Sequence, residues 1–187
     1  MGLKVLDKVV AIAGFRGAHI EDPAKLIEEL RGLEELRSVS FQLLDAGLVA
    51  GREHLFISVF NALRAFEMGL NVSSDLGMEA LTFASAQRQI AKAIKLMGIK
   101  PGIGDIAVLL IAGSEEALAK AMRAVGEALG AERDDEVLEV DEEKARRIAE
   151  AFGLSREELS ACSRLGGLAG AVKALVLERV ALSIVYR

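Results

Sequence analysis

The side chains that most often carry out acid–base or nucleophilic catalysis are scarce in this chain. It contains two histidines, His19 and His54, and one cysteine, Cys162. A cysteine becomes a nucleophile when a neighbouring base or positive charge stabilises its thiolate, and the sequence around Cys162 offers no histidine for that role. We interpret both histidines as partly exposed polar residues at the ends of secondary-structure elements, and we predict that the chain is not an enzyme. A cysteine-dependent enzyme is the alternative, and loss of an activity in a Cys162→Ser variant would support it.

Metal and phosphate sites have sequence patterns that this chain lacks. One cysteine and two distant histidines do not match the spacing of a familiar metal site, and we interpret the acidic cluster from Glu132 to Glu143 as a solvated loop. The glycine-rich stretch at 98–105 lacks the Gly-Lys-Ser/Thr ending that binds phosphate and a metal ion. It also precedes a predicted strand, whereas a phosphate-binding loop follows one. We therefore predict no metal, no cofactor and an ordinary turn at 98–105.

One segment differs from the rest of the chain in the sign of its charge. Between Glu79 and Asp105 the sequence has no acidic residue, although the whole chain has a formal net charge of -5. The cations in this gap are Arg88, Lys92, Lys95 and Lys100. This local reversal of sign is the main electrostatic indication of what the protein binds.

The spacing of the first three cations, i, i+4 and i+7, predicts that they share one face of a helix that ends at Met97. Ile90, Ala93 and Ile94 are predicted to point to the opposite side, together with Met97. Like charges at this spacing repel each other mildly, and a bound phosphate would offset that repulsion. The alternative is a solvated face that happens to be basic.

Composition limits the classes of protein to which the chain can belong. With 187 residues, of which 52% are hydrophobic, it is long enough for one well-packed domain, predicted to span residues 1–187. Its acidity argues against a protein that coats nucleic acid over a broad surface but permits a small basic patch. A single cysteine excludes an intramolecular disulfide and favours a reducing, cytoplasmic setting. The N-terminus has no long apolar run, so we expect no signal peptide.

The apolar pattern predicts a single α/β (α+β) domain, with a small mixed or antiparallel β-sheet packed with about seven helices. Short strands are predicted at 9–13, 38–45, 105–112 and 136–140. The Gly-Phe-Arg-Gly stretch at 14–17 is predicted to be a turn that closes the first strand. The strand at 105–112 is apolar almost throughout, as in a strand buried on both faces. Capping residues and glycines mark the helix ends. The predicted helices cover 23–30, 53–68, a stretch after 73–75, the basic segment to 97, 114–130, 141–152, a short helix from 155, and 164 to near the end.

The last predicted helix is long and apolar over most of its circumference. One stripe along it consists of Leu165, Leu168, Val172, Leu175 and Val176. Three charged residues interrupt the apolar sequence, and their cost at the centre of a bilayer argues against a membrane span. The rest of one domain covers one side of such a helix, so we predict that the stripe binds a partner. The alternative is a central core helix surrounded by the chain's own elements.

A family resemblance extends over nearly the whole chain in length and order of elements, and it is most specific between residues 54 and 98. The residues that carry it are Asn-Ala-Leu-Arg-Ala-Phe at 61–66, Glu79 after Leu-Gly at 76–77, Arg-Gln-Ile at 88–90, Ala-Ile at 93–94 and Gly-Ile at 98–99. Together they resemble the small kinase-binding subunit of the KEOPS complex, the PRPK-binding protein (TPRKB) family. The N-terminal fifty residues match that family only in pattern.

The resemblance implies a function. KEOPS installs the threonylcarbamoyl group on adenosine in the anticodon loop of tRNAs, and its ligase and kinase-like ATPase subunits perform the chemistry. The subunit that this chain resembles is not an enzyme. It binds the kinase-like ATPase subunit, partly through its C-terminal helices, and in archaeal members it captures the 3′ CCA end of tRNA. Carried over by residue, the resemblance implies tRNA contacts by Arg88 and Ile90, with Lys92 and Lys95 on the same helical face and Asn61 and Arg64 as plausible neighbours.

A second hypothesis is a homo-oligomeric α/β protein that binds a small molecule, with the basic helix receiving an anionic metabolite. The chain has one Tyr and no Trp, which departs from the aromatic platform on which unpaired bases usually stack. Bases would instead stack on arginine or pack on aliphatic side chains. A tight, salt-insensitive metabolite in the purified protein would favour the small-molecule hypothesis over tRNA.

Overall fold

The computed structural model describes residues 2–162, 164 and 166–186, and an antiparallel β-sheet is at its centre. The strands are β1 (Leu3–Val5), β2 (Lys8–Ile20), β3 (Ser40–Asp45), β4 (Gly102–Ala112) and β5 (Glu132–Arg133). They are arranged in the order β1-β2-β4-β3, and β5 pairs with β2. Every described strand pair is antiparallel, so the predicted α/β (α+β) class with an antiparallel sheet is confirmed.

The described residues also form eight α-helices. They are α1 (Pro23–Gly32), α2 (Arg52–Met68), α3 (Leu76–Ala84), α4 (Ile90–Met97), α5 (Glu115–Leu129), α6 (Glu142–Ala151), α7 (Arg156–Ala161) and α8 (Gly167–Ser183). Local capping explains many of their starts. The side chains of Asp22, Ser114 and Asp141 accept hydrogen bonds from first-turn N–H groups of α1, α5 and α6, as short polar residues do at helix N-termini. Ser155 and Glu158 form the predicted capping box of α7.

The sheet lies between two layers of helices, and each face has its own apolar core. Alternate residues of a strand point to opposite faces. In β4, Leu109 and Ile111 pack with residues of α2, α3, α6 and α8, whereas Val108 and Leu110 pack with residues of α1 and α5. The last seven residues of β4 are all buried, which confirms the predicted strand with two buried faces.

One predicted turn proves to be part of a strand. The stretch at 14–17 was expected to close the first strand, but a bulge between Phe15 and Ala18 lets β2 continue to Ile20. Gly17 has a φ of 64° at this bulge, and its N–H donates to Asp105 Oδ1 at 2.9 Å. Glycine adopts this left-handed conformation without the steric cost of a side chain, so the glycine signal marks a bulge here.

The predicted strand at 136–140 is wrong. Asp135–Leu138 form a 3₁₀ helix, and the side chain of Asp134 accepts a hydrogen bond from the Glu136 N–H at its start. Local bonds from side chain to backbone compete with strand pairing. Val137 and Leu138 are buried, so the apolar alternation in this stretch indicated burial and not a strand.

The long apolar C-terminal helix that the sequence predicts is α8, which begins at Gly167 and not near Arg164. It packs against α2, α6 and α7. The guanidinium of Arg179 joins α8 to α7 and to the end of α6. Its Nη2 donates to Glu158 Oε1 of α7 at 2.8 Å, and its Nη1 donates to the carbonyl of Phe152, which follows α6. None of the helices in the described part of the chain combines the length and the apolar content that crossing a membrane requires.

Candidate functional site

The basic segment does not form the single helix that its spacing predicts. α4 begins at Ile90, so Arg88 lies before it, in the connection between α3 and α4 (residues 85–89, called the α3–α4 turn below). Lys92 and Lys95 are both on α4, but Arg88 cannot share a helical face with them. The predicted face of three cations is therefore wrong in its geometry, and Arg88 lies instead at the entrance to the helix.

α4 is held on the protein by a narrow buried stripe. Ala93 and Met97 are wholly buried and pack in the core that α3 also joins. Ile90 is half-buried, and Ile94 is 45% exposed. The prediction of a core-facing side is thus right for Ala93 and Met97 and wrong for Ile94. Because so little of this short helix is buried, Lys92 and most of the helix circumference face solvent.

The cations of this segment differ in whether a carboxylate neutralises them. Lys100 Nζ lies 3.5 Å from Asp45 Oδ2. Arg88, Lys92 and Lys95 are exposed, and within the described residues none of them forms a salt bridge at 4.0 Å or less. These three residues, called the basic cluster below, are therefore free to attract an anion in a protein whose net charge is -5.

The N-terminus of α4 adds the positive end of a helix dipole to the basic cluster. Gln89 precedes the first helical residue with an extended backbone (φ −105°, ψ 121°), makes no capping hydrogen bond through its side chain, and no acidic residue follows in the first turn. Backbone N–H groups at such an end bind phosphate and other anions. Arg88 lies just before this end and Lys92 lies in the first turn, so both can approach an anion bound there.

Two other predicted RNA contacts lie on α2 and have partners already. Asn61 is only 4% exposed, and its Nδ2 donates to the Val180 carbonyl of α8 at 2.7 Å. Asn61 therefore has a structural role. Its burial contradicts the prediction that it contacts tRNA, because the side chain is not at the surface. Arg64 is exposed, but its Nη1 lies 2.6 Å from Glu67 Oε2. Neither residue extends the unpaired positive charge of the basic cluster.

The structure differs most from the sequence prediction at His54. It is wholly buried, although it was expected to be partly exposed. Its Nδ1 accepts the Ala50 N–H at 3.0 Å, so Nε2 carries the proton and donates to the Ala84 carbonyl at 2.7 Å. Burial lowers the pKa of His54 to about 4, and the ring meets Phe152 edge-on with centroids 6.0 Å apart.

A sequence signal for this burial does exist. His54, Ser58 and Asn61 are spaced i, i+4 and i+7 on α2, and all three are buried. Each donates a hydrogen bond to a backbone carbonyl, as buried polar groups must to offset their desolvation. Ser58 bonds to the His54 carbonyl within α2, whereas His54 and Asn61 bond to neighbouring elements. A polar stripe beside the apolar stripe of a helix thus indicates buried hydrogen bonds, which the apolar pattern alone does not reveal.

The apolar stripe predicted to bind a partner lies mostly on the core side of α8. Val172 and Val176 are wholly buried, and Leu175 is 6% exposed. Leu168 is half-buried, and Leu165 lies outside the described residues. The prediction of a partner interface is therefore wrong for the three buried residues, and the alternative of a core helix is right for them. A helix that is apolar all round does not show by its period which side faces inward.

The opposite side of α8 is also apolar. Gly170, Ala174, Leu177 and Ala181 follow each other at steps of four, three and four residues, which places them along one face. All but Ala181 are half-buried, and Ala181 is exposed. This outer face of α8 continues toward Val185, which is 71% exposed. Its small side chains permit close approach by another helix or strand.

The described residues contain no group of three or more His, Cys, Asp or Glu side chains placed to hold a metal ion. Cys162 is half-buried at the end of α7, and His19 is exposed on β2. The arrangement that the structure does present consists of unpaired cations at an uncapped helix end and an apolar helix face. Both features suit binding.

Comparison with known proteins gives two matches. Residues 18–183 match the family model described as kinase binding protein CGI-121, a range that contains α4 and all of α8. The chain is also 37% identical over 141 residues to a protein of Methanocaldococcus jannaschii named regulatory protein Cgi121. That alignment covers 75% of this chain and 82% of the archaeal protein.

Proposed function

Since the chain belongs to the CGI-121 family of kinase-binding proteins, we propose that it is a non-catalytic regulatory subunit of the KEOPS complex. In this proposal it binds the kinase-like ATPase subunit directly and captures the 3′ CCA end of tRNA for threonylcarbamoyladenosine modification. The observation that carries the RNA part is the basic cluster of unpaired cations beside the uncapped N-terminus of α4. Without a bound anion, the like charges of this cluster repel one another and do not stabilise the protein.

The RNA end binds through one phosphate site and an aliphatic surface. A backbone phosphate accepts hydrogen bonds from the N–H groups at the start of α4 and contacts Lys92, and the adjacent phosphate of the strand contacts Arg88. Lys95 lies one turn further along the helix, where the next phosphate of an extended strand can approach it. Ile94, which is 45% exposed, offers an aliphatic surface on which an unpaired base packs, and the Arg88 guanidinium is flat enough for a second base to stack on.

The partner part of the proposal uses the outer face of α8. Side chains there are small or aliphatic and at most half-buried, so covering them with another protein removes apolar surface from water and stabilises the complex. The family description supports a kinase as the partner, and in this proposal that partner is the kinase-like ATPase subunit. The core side of α8 takes no part in this contact, because the chain itself covers it.

The RNA site can be tested by comparing tRNA with and without its 3′ CCA end. Three phosphate contacts on a single strand predict a log–log salt slope near about −2, so affinity for the intact tRNA should fall about tenfold to twentyfold between about 50 and 200 mM salt. Lys92→Ala should weaken binding and reduce the slope by about 0.7. Lys120→Ala is the matched control, since Lys120 is exposed on α5 and already pairs with Glu116 at 2.8 Å. Equal affinity for the two tRNAs would contradict capture of the 3′ end.

The partner surface can be tested with two alanines that are both exposed on helices. Ala181→Glu on α8 should abolish co-purification with the kinase-like ATPase subunit while changing the free energy of unfolding by no more than about 0.5 kcal/mol. Ala128→Glu on α5 introduces the same charge on an exposed position and should leave the complex intact. Undiminished co-purification of Ala181→Glu would contradict the assignment of the outer face. A change confined to the oligomeric state of the isolated protein would instead identify the face as a self-association surface.

A further inference from the structure

The backbone of the α3–α4 turn is fixed by a specific set of hydrogen bonds. Gln87 N–H donates to the Thr82 carbonyl at 2.9 Å, and Ala86 N–H donates to the Phe83 carbonyl at 2.9 Å. These bonds, from the sixth residue to the first and from the fifth to the second, define the Schellman motif that ends many α-helices. The motif ends α3 and fixes the backbone that follows it, so it decides where Arg88 and the start of α4 lie.

The motif is unusual in the residue at its left-handed position. Ala86 has a φ of 49°, and this position in Schellman motifs is usually glycine because a Cβ is sterically unfavourable there. A non-glycine residue in this conformation persists only when the surrounding structure holds it, and such residues concentrate at functional sites. The α3–α4 turn therefore keeps a local strain that a glycine would remove.

His54 completes the bonding of the helix end. The last-turn carbonyls of α3 need donors from outside the regular helix pattern. The Leu81 carbonyl keeps a regular helix bond from the Ser85 N–H at 3.0 Å and also accepts the Ser85 hydroxyl at 2.9 Å, and the Schellman bonds satisfy the next two carbonyls. The Ala84 carbonyl, the last one, accepts the His54 Nε2–H at 2.7 Å.

The His54 ring is itself held in place. The Ala50 N–H donates to its Nδ1 at 3.0 Å, and Phe152 packs against it edge-on. His54 is wholly buried, so no water competes for the bond to Ala84. The carbonyl end of α3 is thus anchored to α2 through a buried side chain that is hydrogen-bonded at both ring nitrogens.

We propose that His54 and Ala86 are positioning residues for the anion site at the start of α4. They hold the α3–α4 turn in one conformation, so that Arg88 stands beside the free N–H groups of the helix before RNA arrives. This inference rests on the proposed function, because the RNA end is the ligand that the site takes. A turn that must become ordered on binding loses affinity, since fixing each backbone residue has an entropic cost.

The experiment uses two variants that loosen the turn by different routes. Ala86→Gly removes the strain but widens the conformational freedom of the turn, and His54→Leu removes the donor to the Ala84 carbonyl while keeping an apolar side chain. Each should weaken binding of tRNA with an intact CCA end by about tenfold, which is the effect of re-ordering about one backbone residue. The melting temperature of Ala86→Gly should not fall, because glycine tolerates a positive φ.

Two further readouts separate positioning from general stability. His54→Gln keeps an amide N–H donor in the same region and should recover part of the affinity that His54→Leu loses. Without any RNA, hydrogen exchange at the Gln87 amide should become at least about tenfold faster in Ala86→Gly, because this amide reports the bond that closes the turn. If His54→Leu does not fold, Ala86→Gly alone decides the question.

The outcomes distinguish this inference from the proposed function. If Lys92→Ala weakens RNA binding while Ala86→Gly and His54→Leu bind as the wild type does, the basic cluster is right and the positioning role is wrong. If Arg88→Ala and Lys92→Ala both leave RNA binding unchanged, the site itself is wrong and the positioning role is overturned with it. Weakened binding by Ala86→Gly, with an unchanged melting temperature and faster exchange at Gln87, supports both.

Discussion

His54 and Asn61 lie seven residues apart on α2, and each anchors the end of a different neighbouring helix. His54 Nε2 donates to the Ala84 carbonyl at the end of α3, and Asn61 Nδ2 donates to the Val180 carbonyl near the end of α8. α3 leads into the proposed RNA site, and α8 carries the proposed partner surface. One helix thus positions both surfaces by the same kind of bond, made by two side chains of different chemistry.

The difference between the two anchors is that only His54 carries a titratable group. The imidazole of His54 must stay neutral for Nδ1 to accept the Ala50 N–H, whereas the amide of Asn61 does not titrate. The Val180 carbonyl also accepts the Ser183 hydroxyl at 2.6 Å. The anchor of α3 is therefore sensitive to acid, and the anchor of α8 shares its carbonyl with a second donor.

The largest effect that this comparison predicts is a loss of stability in acid that originates at His54. Burial lowers the pKa of His54 in the folded protein from 6.5 to about 4, with Lys144 adding a smaller effect in the same direction. Above pH 6.5 neither state binds the proton, so this group contributes no pH dependence. Between pH 6.5 and about 4 only the unfolded state binds it, and the free energy of unfolding should fall by about 3 kcal/mol. Urea denaturation at several pH values measures this slope.

Two histidine variants show whether His54 causes the slope. His54→Gln removes the titrating group, so the free energy of unfolding of this variant should vary much less between pH 6.5 and 4. His19→Gln is the matched control, because His19 is exposed on β2, and it should retain the wild-type slope. An unchanged slope in His54→Gln would show that His54 is not the acid-sensitive anchor.

A smaller effect is expected at the other anchor. Asn61→Ala removes a buried hydrogen bond and leaves a small cavity between α2 and α8, which together should lower the free energy of unfolding by about 1–2 kcal/mol. The Ser183 hydroxyl keeps the Val180 carbonyl satisfied, so the loss should not reach the cost of an unpaired buried group. Because asparagine does not titrate, the loss should be the same at pH 7 and pH 5, in contrast to the His54 variant. A larger loss of unfolding free energy at pH 5 than at pH 7 would contradict the proposed difference between the two anchors.

Helix starts and the buried strand could be predicted because their causes are local. Asp22 before Pro23 and the pair Ser155 and Glu158 mark helix N-termini through bonds within one turn. The continuous apolar run of β4 requires two covered faces, and the sheet between two helix layers provides them. These features follow from bonding rules that operate over a few residues.

The α3–α4 turn and the burial of His54 could not be predicted because their causes are tertiary. Alanine at position 86 gives no turn signal, so the helical spacing of Arg88 and Lys92 suggested one continuous helix. The positive φ of Ala86 is held by the Schellman bonds and supported by His54, which is distant in sequence. Composition correctly marked the segment as basic, but the position of Arg88 depends on a contact between α2 and α3.

The orientation of α8 could not be predicted for a different reason. Both its sides are apolar, so the sequence alone predicted a stripe through Val172 and Val176 equally well as core or as interface. The structure buries that stripe against α2 and α6. Val172→Glu should therefore unfold the protein, because a buried carboxylate without a partner costs several kcal/mol, and it cannot serve as an interface variant.

The smallest predicted effect is the coupling free energy between the two anchors, which shows whether they act independently. Positions 54 and 61 are separated by about 10 Å along α2, and the carbonyls that they bind belong to different helices. The losses of stability in His54→Gln and Asn61→Ala should then add, with the double variant within about 0.5 kcal/mol of the sum at pH 7. A coupling free energy well above that value would mean that α2 transmits a change at one helix end to the other. In that case binding at the proposed partner surface and binding at the proposed RNA site would also be linked, and the affinity of each ligand would depend on the other.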